Sequence, residues 1–126
     1  IRYASASPDQ EKLQAEVTEI LEKECAAAKA ADVQTWNRYS DEFHLVFYRY
    51  CTNSRLAESA ERLRSGISIF SNQYCRETVI QTRIDEEHLA IFQAYKDGDI
   101  EKAVQMMKTH LNDSLNYALR FLPKTF

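Results

Sequence analysis

Three histidines are the residues of this 126-residue sequence best able to do chemistry, and each stands in an apolar setting. His44 lies in YSDEFHLVFYRY (39–50), His88 in RIDEEHLAIFQAY (83–95) and His110 in VQMMKTHL (104–111). A buried imidazole without partners costs roughly 1–3 kcal/mol, and a shared cation would satisfy all three rings at once. Asp41 and Ser40 precede His44 by three and four residues, so either can reach the same point beside a helix. Three imidazoles and a carboxylate suit zinc first, with nickel, manganese or iron as the other divalent candidates. Such a set leaves one or two positions open for water or for the carboxylate of a small organic acid. One histidine on an apolar face is usually a core residue with a single hydrogen bond; three out of three gives a shared metal site equal weight with core packing.

The elements that must position these rings are helices. Two glycines and two prolines leave little turn chemistry for a sheet. Ser7-Pro8-Asp9-Gln10 is expected to start a helix, with Ser7 as cap, Pro8 in the first helical position and Gln10 completing a capping box. Leu13, Val17, Ile20 and Leu21 follow at helical spacing, and the alanines around 26–31 carry the helix onward. Asp32 caps a second helix bearing Trp36, Phe43, His44, Phe47 and Tyr50, and Asn53 caps a third. Leu56, Ala60, Leu63, Ile67 and Phe70 are expected to form that helix's inner stripe. Ser71 to Thr82 has no clear period. Ile84, His88, Ile91 and Tyr95 resume one. Gly98 and Asp99 then end one helix and cap the last, which carries Ala103, Met106, Met107 and His110 and is expected to reach Leu122 before Pro123. The expectation is an all-α antiparallel bundle of about six helices, forming one domain over residues 1–126. Each histidine falls on the apolar side of a different helix, as in bundles that build metal and ligand sites from inward side chains.

Other chemistries find little support. A net charge of −3 with mixed signs is unlike a nucleic-acid-binding face. No apolar run approaches the ~18–20 residues that span a bilayer, so no membrane partner is expected. Cys25, Cys51 and Cys75 form no CxxC pair and are expected to be reduced, packed thiols of a cytoplasmic protein. Glu86 and Glu87 are expected to be a favourable charge pair at a helix start. No glycine-rich phosphate loop and no acyl-transfer motif is present.

FHLVFYRYCTNSRL (43–56) and EEHLAIFQAYKDGDIEKAVQMMKTHL (86–111) resemble the signatures of FCD domains, over about residues 9–120. In the second segment the two histidines, Ala94, Gly98-Asp99, Ala103 and Met107 fall in the family's order. FCD domains are the effector-binding domains at the C-terminal end of many GntR-type bacterial transcription regulators. The resemblance implies a helical, homodimeric sensor of a small metabolite, with operator DNA bound by a winged helix-turn-helix that would precede Ile1. Of the family's first helix, which often directs an arginine to the effector, only Arg2 stands in this sequence. In metal-dependent members an aspartate and three histidines hold a divalent ion, and His44, His88 and His110 stand at the histidine positions. The family's aspartate falls on Ser40, so that either Asp41, one residue later, substitutes as the ligand or the fourth place goes to water and the metal is held more weakly.

The function expected is a regulatory, non-enzymatic domain that binds a small organic acid at or near a metal held by His44, His88, His110 and Asp41. Ser40, Tyr48 and Tyr95 are the candidate effector contacts. The alternatives are a small helical metalloenzyme, with Glu42 or Glu87 as base, and a metal-free member whose histidines bind an organic ligand directly.

Overall fold

A computed structural model describes residues 1–74 and 76–120, the side chains of 66–74 excepted. Six helices follow one another: α1 (Arg2–Ser5), α2 (Gln10–Lys29), α3 (Val33–Arg49), α4 (Ser54–Tyr74), α5 (Thr78–Lys96) and α6 (Ile100–Leu119). No strand occurs among the described residues. α2 packs against α3 and α5, α3 against α4, and α5 against α6, so the expected all-α bundle is what forms. Among the described residues, no helix is long and apolar enough to cross a membrane.

Two matching corners set the register of the helices that carry the histidines. After α2, Ala31 adopts φ 56, Ala31 N–H donates to Ala28 O and Asp32 N–H donates to Ala27 O. After α5, Gly98 adopts φ 80, Gly98 N–H donates to Tyr95 O and Asp99 N–H donates to Ala94 O. Both close the helix with a left-handed residue and paired reverse hydrogen bonds. Each aspartate then caps the next helix, Asp32 accepting from Thr35 N–H and Asp99 from Lys102 N–H, both at 3.2 Å. Asn53 caps α4 in the same way, through Leu56 N–H.

The main core joins Leu13, Val17, Ile20 and Leu21 of α2 to Phe43, Val46 and Phe47 of α3 and Ile91, Phe92, Ala94 and Tyr95 of α5. A smaller cluster of Ala27, Ala28, Trp36 and Ile84 closes the other end. The histidines lie among these aromatic and aliphatic groups, with the Phe43 ring stacked on His88 at 4.1 Å between centroids.

Three expectations change. α2 begins at Gln10 rather than Pro8, because Ser7 Oγ accepts from Asp9 N–H in a tight turn. The Gln10 amide donates back to Ala4 O and Ser7 O instead of boxing a cap, which ties α1 to α2. The stripe on α4 is not an inner one at Leu56 and Leu63, which are 47% and 70% exposed; periodicity identifies an apolar face but not what covers it. Ile67, Phe70 and Cys75 lie outside the described side chains. α6 ends at Leu119, and Leu122 and Pro123 lie outside the described residues.

The two corners make a paired prediction. Nothing lies within 4 Å of a Cβ placed on Gly98, so Gly98→Ala meets only backbone strain and should lower stability by about 1 kcal/mol. Ala31→Gly should raise it by a similar amount, because the strained alanine is relieved. Denaturant melts of the two variants, read as opposite shifts of midpoint, check this.

Candidate metal centre

α3, α5 and α6 each deliver one ring to a common interior point. A ligand nitrogen from each of His44, His88 and His110 lies within 4.8 Å of the others, and the rings are 3%, 0% and 4% exposed. His88 Nε2 faces His110 Nε2 at 3.1 Å. Burial, first among the causes, pushes His88 down to about 3 and His110 down to about 4. It also holds His44 well below the usual imidazole range, aided by the Arg64 charge. The rings are therefore neutral.

Their tautomers follow from what stands behind them. His88 Nδ1 is 3.1 and 3.0 Å from the two carboxyl oxygens of Glu24, and His110 Nδ1 is 3.1 Å from Glu87 Oε2. Carboxylate oxygens only accept, so both Nδ1 atoms carry the proton and both Nε2 atoms present lone pairs. Two lone pairs facing each other at 3.1 Å repel unless a cation lies beside them. A divalent ion, bound about 2.0–2.1 Å from each nitrogen, would draw the three rings together, so the donor set fits such an ion.

Behind His88 the carboxylate is buried in depth. Glu24 is 0% exposed and is hydrogen bonded to Asp85. Asp85 Oδ1 accepts the indole N–H of Trp36 at 2.8 Å. Burial lifts Glu24 to about 7, and burial with the Glu24 contact lifts Asp85 to about 8.

The remaining candidates separate. Asp41 is not in the histidine group; its Oδ1 accepts from Arg64 Nη2 at 2.9 Å in a largely buried ion pair. Ser40 is buried on the same face of α3 as His44. So is Asn37, whose buried Oδ1 has no hydrogen-bond partner among the described residues. Tyr48 is half-buried close enough to Arg64 to feel its charge. Tyr95 lies two turns beyond His88, with its hydroxyl donating to Gln10 at 2.6 Å. Arg2 pairs with Glu101 on the surface. Glu86 and Glu87 stand in the middle of α5, which starts at Thr78, so their expected role at a helix start is replaced by the Glu87–His110 contact. Glu42 is paired with Arg49 at 3.1 Å. A groove of about 570 Å³ between α5 and α6 has His110 and Glu87 in its wall, with Glu86, Asp113, Arg83 and Lys102 around it.

Glu24, Asp85 and Arg64 are the residues that spacing left unnoticed, and Trp36, read from spacing as a packing residue, proves also to be a hydrogen-bond donor to Asp85. Glu24 carried a signal, since it falls seven residues after Val17 and four after Ile20, within the apolar stripe of α2. Asp85 lies one turn before His88 on the buried side of α5. The Asp41–Arg64 pair joins two helices, and no pattern within one helix announces it.

A family model for the FCD domain matches residues 1–113. No curated protein and no solved structure matches the chain.

Ionisation gives the metal-free centre a defined pH profile. Below about pH 6.5 the unfolded chain protonates its histidines while the folded rings stay neutral, so stability falls toward pH 4. Above the ordinary carboxyl range the unfolded chain releases its carboxyl protons, whereas the folded Glu24–Asp85 pair keeps one, on Asp85, to about 8, so stability also falls as pH rises through that window. The metal-free protein should be most stable at about pH 6–7, with lower melting temperatures at about pH 4.5 and 8.5. Calorimetric melts in chelator across this range check the profile.

Proposed function

Because the chain belongs to the FCD domain family, we propose that it is the effector-sensing domain of a GntR-type transcription regulator, with a divalent metal held by His44, His88 and His110. The observation that carries this reading is the approach of His88 Nε2 to His110 Nε2 at 3.1 Å with a carboxyl group at the Nδ1 of each ring. Zinc fits a neutral, nitrogen-rich set best, with nickel, manganese and iron following. When bound, the ion supplies a Lewis-acidic point to which an anionic group can attach.

The effector is a small organic acid. Arg64 sets a fixed positive charge near the three rings, which its charge holds further down. Asp41 keeps that guanidinium in place. Asp41 thereby acts on the effector side of the site, and open coordination positions fall to the effector carboxylate. Ser40 and Tyr48 border this side, and the unpartnered Asn37 Oδ1 is an acceptor for a polar hydrogen of the ligand. Tyr95, engaged by Gln10, holds α5 against the start of α2. The two carboxylates considered as bases are both engaged, Glu87 by His110 and Glu42 by Arg49. Binding, not turnover, is the chemistry supported.

In the whole regulator the effector would bind two arrangements of a homodimer unequally and so alter operator affinity of a winged-helix domain in the cytoplasm. Leu111, Leu115 and Leu119 of α6 and Leu56 and Leu63 of α4, all exposed, support pairing through an apolar face.

Protein purified without chelator should carry close to one divalent ion per chain by elemental analysis. At free metal a hundredfold above Kd the ion should add about 2.7 kcal/mol of stability, and the His88→Ala, His110→Ala double variant should gain nothing. Titration calorimetry with a panel of small carboxylates should show binding only to the metal-loaded chain. Arg64→Gln should weaken that binding by about 1.5–3 kcal/mol, the range for a charged hydrogen bond. Metal-independent binding of organic ligands would favour the metal-free reading, and substrate turnover the enzymatic one.

A further inference from the structure

We propose that Glu24 and Asp85 are positioning residues of the metal centre. Through Glu24 they hold His88 in the tautomer whose Nε2 lone pair faces the other rings, and they set a buried negative charge behind it. The inference rests on the metal-binding reading above and names which of the chain's own groups tune that site.

Glu24 occupies a place in α2 where an apolar residue would pack. It lies in line with Val17, Ile20 and Ala27–Ala28 and is fully buried. Isolated burial of a carboxylate is strongly unfavourable. Among the described residues, its ion-pair contact is His88 rather than a lysine or arginine. Core packing of α2 gives no reason for this charge, whereas a cation beyond His88 does. An imidazole that donates Nδ1–H to a carboxylate is a better Nε2 donor and is fixed in ring orientation.

Asp85 completes the arrangement. Two carboxyl groups in hydrogen-bond contact need a proton between them, and Glu24 turns both oxygens to the Nδ1–H of His88. The proton therefore sits on Asp85, whose O–H donates to Glu24 while its Oδ1 accepts from Trp36. The run from Trp36 through Asp85 and Glu24 to His88 carries one negative charge, next to the metal ligand. His110 is backed differently: Glu87 is 28% exposed and has Arg83 at 3.9 Å, so its charge is screened. His88 is the anchored ligand of the three.

The test is a cobalt(II) titration of the chelator-stripped chain, with Kd from competition against a chromophoric chelator. Emission of Trp36, the sole tryptophan, is followed in parallel. Glu24→Gln keeps the shape and removes the charge; it should weaken cobalt binding about 10–100-fold with the helical spectrum retained. Asp85→Leu removes the donor to Glu24 and the acceptor for Trp36, and should weaken binding and shift the emission. Asp85→Asn restores both hydrogen bonds and should recover most of that loss. Should Glu24→Gln fail to fold, the Glu24→Gln, Asp85→Asn double variant keeps a neutral hydrogen-bonded pair and should show the same 10–100-fold loss. A purely structural role predicts altered melting temperatures but unchanged cobalt Kd in every folded variant, and that result overturns the proposal. Failure of the parent chain to bind cobalt would instead overturn the metal-binding reading itself, a result seen before any variant is made.

Discussion

The centre of this structure depends on one electrostatic constraint: imidazole nitrogens brought face to face in a dry interior must have something positive between or beside them. His88 and His110 approach through their Nε2 atoms at 3.1 Å, and the carboxylates at their Nδ1 atoms prevent either ring from turning its proton inward. Burial keeps the rings from protonating. A cation is the partner these conditions leave open. The same burial would strengthen the hold on an ion bound there, because charge interactions weaken little where water is excluded.

The bundle serves that constraint by fixing axial register. A helix displaced by one residue turns its side chains by about 100°, enough to take a histidine out of the group. The corners at Ala31–Asp32 and Gly98–Asp99 guard against this. In each, the residue that ends one helix hands over to an aspartate that begins the next. Phe43 stacked on His88 and the Trp36–Asp85 hydrogen bond add tertiary checks on α3 against α5.

Much of this was legible in the residues. Helical period placed His44, His88 and His110 on inward faces, and the capping roles of Asp32, Asn53 and Asp99 followed from residue type. What one-dimensional pattern could not give was partnership across helices. Asp41 lies within reach of the face carrying His44, yet the arginine opposite it on α4 claims its carboxylate. Glu87 has the composition of a helix-start charge, but α5 begins nine residues earlier and brings it to His110. Glu24 was visible as a charge inside an apolar stripe, though its meaning needed α5 beside it. The exposed leucines of α4 show the same limit, because amphipathicity does not say which surface is shared within the chain.

A site with three protein nitrogens, a nearby guanidinium and an unpartnered amide oxygen is suited to capture a small anion reversibly, and the family places such capture in regulation. The most direct test of the central claim is X-ray absorption at the metal edge of the zinc-loaded chain. The account predicts a first shell containing three imidazole nitrogens at about 2.0–2.1 Å, with oxygen completing it. A shell of oxygens alone, or one with fewer than three imidazoles, would contradict it.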